Sequence, residues 1–212
     1  MKMLIPSGMI GLLLTLAGST RAAPLAYEFT GTVHTVDDIE GILDSSVREG
    51  SEFSGRFSFD TSAADLNSSP ERGEYRGPQF SFALTVGTYS GSSSGDGVIF
   101  VGNDVFGQDM LTINGGSFSI ADGLVISTIG AALTDNTASA LMSDSIPIDS
   151  VSVAEFQSQS FFAKGNSTTA PGAGSFTLVG TLSTFNVVPE PALFAIILLS
   201  LAGIRARRVT TA

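Results

Sequence analysis

From Leu25 onward, apolar and polar side chains alternate with a period of two. Tyr27, Phe29, Gly31, Val33 and Thr35 share one face, and Glu28, Thr30, Thr32 and His34 share the other, the pattern of a half-buried β-strand. After an acidic turn at Asp37-Asp38-Ile39-Glu40-Gly41, Phe53, Gly55, Phe57 and Phe59 repeat it, and Phe80, Phe82, Leu84 and Val86 repeat it again. The polar stretch from Thr61 to Pro78 predicts a long loop, and the Gly/Ser run from Gly91 to Gly97 predicts a hairpin connection. Short strands are expected at Val98–Val101, Met110–Ile113, Phe118–Ile120, Leu124–Ile129, Ile148–Phe156, Ser160–Ala163 and Phe176–Asn186. Asn103-Asp104, Asn114-Gly115-Gly116 and Asp122-Gly123 punctuate them with residues that suit tight turns. Ala138–Met142 is the one place in this middle region where a short helical turn is expected.

Many short strands without a long helical period between them predict an all-β antiparallel domain. The expected architecture is a β-sandwich of jelly-roll type over residues 23–186, flanked by an N-terminal signal helix and a C-terminal hydrophobic helix. Met1–Ala22 has the parts of a secretory signal peptide: Lys2, an apolar stretch from Met9 to Ala17, and small residues at Thr20 and Ala22 around Arg21. Cleavage is expected after Ala22, with Ala26 as the alternative.

Composition then narrows the partners. The net charge of −10 conceals an asymmetry, because five of the ten basic residues lie in the two terminal segments. The middle keeps Arg48, Arg56, Arg72, Arg76 and Lys164 against nineteen acidic residues, near −14. Such a surface repels nucleic-acid phosphates and anionic lipid headgroups, and disfavours both as partners. There is no cysteine, which removes disulfides, thiolate metal sites and cysteine nucleophiles. With a single histidine, His34, a zinc site of the usual kind is excluded too.

The last stretch, 187–212, carries the most specific information. Pro189-Glu190-Pro191 is followed by an apolar run from Ala192 to Ile204 and then by Arg205, Arg207 and Arg208. Prolines end regular structure before the run, and arginines beyond it stop the segment in the membrane with its end on the cytoplasmic side. About 13 residues at 1.5 Å each give roughly 20 Å, short of a hydrocarbon core of about 30 Å. This order of parts resembles the PEP-CTERM sorting signal of Gram-negative bacteria. The resemblance implies recognition of Pro189, Glu190 and Pro191 by an exosortase-type membrane enzyme that cleaves near them. It also implies a cytoplasmic stop at Arg205, Arg207 and Arg208. The phrases Tyr-Glu-Phe-Thr-Gly-Thr-Val and Phe-Ser-Gly-Arg-Phe-Ser-Phe-Asp look like those near the start of many proteins that carry such tails. An ordinary C-terminal anchor is the alternative reading of the same residues.

Candidate chemistry in the middle is sparse. His34 lies on the polar face of the first strand without a Gly-x-Ser-x-Gly elbow elsewhere. A carboxylate pair for polysaccharide hydrolysis would come from Asp37, Asp38, Glu40, Asp44, Glu49 and Glu52, although the absence of Trp leaves a poor sugar-stacking platform. A structural calcium ion would draw on Asp37, Asp38, Glu40, Asp96, Asn103, Asp104, Asp122, Asp135 and Asn136, all in expected loops and none in EF-hand spacing. The leading expectation is a non-enzymatic exported protein. It crosses the inner membrane, is held there transiently by its tail, and is then released to the cell surface or exopolysaccharide matrix, where it is structural or adhesive. A polysaccharide hydrolase or a calcium-dependent carbohydrate-binding module with the same tail is the alternative.

Overall fold

The computed structural model describes residues 24–121, 123–147, 151–169 and 174–189. Nine antiparallel strands follow one another: β1 Pro24–Asp37, β2 Glu52–Asp60, β3 Arg72–Val86, β4 Tyr89–Gly102, β5 Asp109–Gly115, β6 Phe118–Ala121, β7 Leu124–Asp135, β8 Ser158–Ser167 and β9 Ser175–Pro189. A single 3-10 turn, η1 Val153–Glu155, precedes β8. Each strand pairs with its successor along the chain, except that β5 and β6 both pair with β7. Gly115 faces Ile129 and Phe118 faces Ile126, so the register is unbroken across residues 116–117. β5 and β6 are therefore one interrupted stave. β1 pairs with β9 from Leu25↔Pro189 to Asp37↔Thr177, and this last seam closes an eight-stave, up-and-down barrel.

The expected sandwich is thus corrected to a closed barrel. Alternation says only that one face of each strand is buried, and two packed sheets or one sheet rolled on itself satisfy that equally. What decides between them is the pairing of β1 with β9, at opposite ends of the strand order, and no local pattern encodes it. The described residues contain no α-helix, and both expected terminal helices fall on residues outside those described.

Eight staves leave an interior that side chains can just fill, and aromatic rings fill much of this one. Tyr27, Phe29, Phe57, Phe59, Phe161, Phe176 and Phe185 are all fully buried. Tyr27 stacks on Phe185 with centroids 4.7 Å apart, and Phe53 stacks on Phe161 at 4.1 Å. Rings of this size fit because glycines lie opposite or beneath them: Phe29↔Gly55 and Gly31↔Phe53 between β1 and β2, Gly165↔Phe176 between β8 and β9, and Gly180 of β9 beneath the Phe53 ring. A methyl group placed on Gly55 would enter the Phe29 ring, and one on Gly31 would enter the Phe53 ring and meet the Thr181 carbonyl. Backbone freedom is not what these two positions need; they need the absence of a side chain beneath a ring.

The same economy explains where local signals mislead. The Gly/Ser run 91–97 lies inside β4, and the true connection is Gly87-Thr88 between β3 and β4. Gly91 is small because Phe118 and Ile120 pack over it. Asn114-Gly115 ends a stave segment rather than turning a hairpin, and β3 begins at Arg72, within the stretch expected to be loop. Ala138–Met142 forms bends with Ala138 at φ 50°. Of the strand expected at Ile148–Phe156, the described part, 151–156, is loop and the η1 turn. Gly123, just before β7, has φ 76°, and Asp122 beside it lies outside the described residues.

Connections 61–71 and 103–108 and the described parts 136–147 and 151–157 lie at the rim where β1 begins and β9 ends, here the exit rim; 38–51, 87–88 and the described residues 168–169 and 174 lie at the opposite rim. Phe29→Ala is expected to destabilise the barrel by about 3–5 kcal/mol, and Gly55→Ala by about 1–3 kcal/mol through overpacking. Because the new methyl enters the space the ring leaves, the double variant should lose less than the two single losses added together. Urea denaturation followed by far-UV circular dichroism measures all three, and strict additivity would refute the interlock.

Candidate functional site

The exit rim is built around two aspartates. Asp109 starts β5, Asp135 ends β7, the two are register partners, and both are fully buried. Each is consumed in holding a loop. Asp109 accepts the Asp104 amide at 2.8 Å through one oxygen and the Leu141 amide at 2.7 Å through the other. Asp135 Oδ1 accepts the Thr137 amide (2.8 Å) and hydroxyl (2.6 Å), while Oδ2 accepts the amides of Ser139 (2.7 Å) and Ala140 (3.0 Å). The Thr137 hydroxyl and Ser139 amide hold the Asp135 carboxyl well below the usual carboxylate range. Adjacent like charges are tolerable here because each carboxylate is surrounded by donors.

Anchored in this way, the described parts of the β7–β8 connection, 136–147 and 151–157, cover the mouth of the barrel. Leu141, Val151 and Phe156 are buried beneath it. The Tyr27 hydroxyl, inside the barrel, donates to the Pro147 carbonyl, and the Tyr75 hydroxyl donates to the Asp144 carbonyl at 3.1 Å. Burial pushes both phenols up, with Asp65 and Asp144 adding to the effect at Tyr75. Gln159 donates its side-chain amide to the Val153 and Phe156 carbonyls, tying down the η1 turn. Between this connection and the wall lies a half-open groove of 570 Å³. Leu141, Met142, Ile146 and Val151 give it an apolar lining, and Thr61, Tyr75 and Glu155 stand at its polar edge. The groove can take an apolar segment or an acyl-like group, and Ser143 and Ser145 add hydroxyls to its lining.

The residues expected to carry chemistry are dispersed. His34 is exposed near the opposite rim, with Nδ1 3.0 Å from the Thr35 hydroxyl. Asp38 accepts the Ile42 and Leu43 amides at 2.9 Å each, and Asp44 accepts the Ser46 amide at 2.7 Å and the Thr88 hydroxyl at 2.9 Å. The Ser46 bonds and the Thr88 hydroxyl lower the Asp44 carboxyl from its ordinary range. Asp37, Glu40, Glu49 and Glu52 are exposed around the same rim. The calcium candidates divide between the rims: Asp37, Asp38 and Glu40 at one, Asn103, Asp104, Asp135 and Asn136 at the other, with Asp96 on the wall. Asp122 lies outside the described residues. Among the described residues no three His, Cys, Asp or Glu side chains are grouped to hold a metal ion. Pro189 is the last residue of β9 and pairs with Leu25; Glu190, Pro191, the run 192–204, Arg205, Arg207 and Arg208 lie outside the described residues. No helix of the described residues is long and apolar enough to cross a membrane.

Sequence reasoning misses Asp109 altogether. Nothing around it is motif-like, and its importance appears only when β5 and β7 align. Also missed are three apolar side chains on the exit-rim loops, Leu66, Phe106 and Met142, exposed by 62 %, 93 % and 94 %. Asp135→Asn is expected to lower the melting temperature by several degrees at neutral pH. Because the folded-state carboxyl titrates below its unfolded value, its contribution is complete above roughly pH 5 and fades as pH falls through about 4 toward the depressed value. The gap between wild type and variant, read from thermal melts across pH 2–7, should close on acidification; a constant gap would refute the anchoring role. Searches of family models, of curated proteins and of solved structures found no match to this chain, and its own residues carry the functional reading.

Proposed function

We propose that this chain is an exported, non-enzymatic barrel protein delivered by a PEP-CTERM-type sorting tail and released by an exosortase-type enzyme. Its role is structural or adhesive in the envelope or exopolysaccharide matrix. The observation that carries the reading is the order of parts after the last strand: Pro189-Glu190-Pro191, thirteen residues without a charge, then Arg205, Arg207 and Arg208. Pro189 is itself the last residue of β9, so the motif begins where the ladder stops, as a site for a membrane-embedded processing enzyme requires.

Two features of the barrel support the matrix role. Its interior is occupied by its own rings, which directs recognition to the outer wall and the rims. On that wall, Thr184, Thr30, Ser54, Thr85 and Ser90 stand in one ladder row across β9, β1, β2, β3 and β4. Thr30 and Thr184 hydroxyls are 2.7 Å apart. An uncharged row of donors and acceptors at strand spacing suits the hydroxyls of a polysaccharide chain, whereas the acidic balance of the domain disfavours polyanions.

In a host that encodes the processing enzyme, intact-mass measurement of the exported protein should give a mature chain lacking Arg205, Arg207 and Arg208, recovered outside the membrane fraction. A membrane-bound mature chain that retains Arg208 would replace this reading with a permanent anchor.

A further inference from the structure

We infer that the exit rim is a membrane-contacting face, which lies against the bilayer interface with Leu66, Phe106 and Met142 inserted while the tail holds the chain. This inference rests on the tail reading above and adds to it an orientation and a contact surface on the folded domain.

Three independent observations converge on that rim. First, three of the four large apolar side chains left exposed among the described residues lie on its loops, and the fourth, Ile39, lies at the opposite rim. Second, only Glu190 and Pro191 separate the end of β9 from the apolar run that starts at Ala192. Three Cα steps reach about 11 Å at most, and the polar interface of a bilayer leaflet is itself about 5–8 Å deep. A barrel tethered so closely has its exit rim against lipid headgroups. Third, Phe106 occupies a position that folding alone would give to another residue. Val105 and Gln108 exchange backbone hydrogen bonds at 2.8 and 3.2 Å around Phe106-Gly107, with φ of 56° and 77° at the two central residues. That is the geometry of a type I′ hairpin turn, for which Asn-Gly is the favoured pair and a bulky aromatic is strained. An aromatic in a left-handed conformation, 93 % exposed at a hairpin tip, is maintained against local preference; such strain collects at functional positions. Arg72 lies 5.4 Å from its ring centroid, leaving one face of the ring for lipid.

Charge selects the kind of bilayer. Among the described residues the rim's loops and adjoining strand carry Asp65, Glu71, Glu74, Asp104, Asp144 and Glu155 against Arg72 and Arg76, with Glu74 paired to Arg76, so attraction to anionic headgroups does not drive the contact. Apolar insertion into a zwitterionic interface does.

The chain contains no tryptophan, which makes Phe106→Trp a unique reporter. The full chain with its tail uncleaved is reconstituted into phosphatidylcholine vesicles whose acyl chains are brominated near the headgroup. The indole introduced by Phe106→Trp should be quenched at least twofold, and the one introduced by Ile39→Trp in the parallel variant should be unaffected. If the chain floats with the vesicles and the two reporters behave alike, the rim proposal is overturned while the tail reading stands. If the chain does not float, the tail reading fails and the rim proposal fails with it. A second arm separates docking from folding, with Met142→Trp as the reporter. In that background, Phe106→Asn should raise the melting temperature, by relieving the turn, and reduce quenching of the reporter at least twofold. A raised melting temperature with unchanged quenching, or a lowered melting temperature, would overturn the role given to Phe106.

Discussion

The cross-strand fit of phenylalanine over glycine is the constraint on which the barrel depends. Phe29 over Gly55 and Phe53 over Gly31 join β1 to β2, Phe176 over Gly165 joins β9 to β8, and Gly180 of β9 lies beneath the Phe53 ring. These four strands are contiguous in the ring, β2-β1-β9-β8, and the closing seam lies at their centre. Phe53 crosses that seam: its ring packs near Gly31 of β1 and Gly180 of β9 and stacks on Phe161 of β8. Closure and interior packing are thus one interaction seen from two sides. A strand that slips by one residue would turn its rings and its glycines together to the outer face, so the pairing that closes the barrel also selects its own register.

Much of this is legible in the chain, but only strand by strand. The inward sets Tyr27, Phe29, Gly31, Val33 and Phe53, Gly55, Phe57, Phe59 are readable as alternation because each strand has one wet face. Closure is not readable, since a sandwich and a barrel make the same demand on every individual strand. The glycines of 91–97 and 114–116 look like turn formers because a local window shows backbone freedom but not the ring that sits above a missing side chain. At the exit rim, Asp135 is visible as a loop oxygen but its meaning is inverted: it faces backbone amides, which leaves those oxygens engaged. Asp109 and Phe106 give no local signal, one because its partner is on another strand, the other because its oddity is a backbone angle.

The two rims have different characters. The opposite rim is acidic and polar, with Asp38 and Asp44 stitching the 38–51 connection. The exit rim is capped by the described parts of 136–157, tied through the buried pair Asp109 and Asp135, and bears apolar side chains at its tips. Under the proposed tail reading, a barrel polarised in this way would meet the membrane with its exit rim and turn its hydroxyl-bearing wall and opposite rim outward.

Both the ring-filled interior and the polarity of the rims require that β1 and β9 be joined in solution. Native-state hydrogen exchange on the mature domain tests this most directly, because a strand paired on both sides exchanges only through large-scale unfolding, whereas an edge strand exchanges through local opening. The closed barrel predicts that ladder amides across 25–33 and 178–188 are protected as strongly as those of β3 and β7. Rapid exchange confined to β1 or β9, with the remaining strands protected, would contradict it.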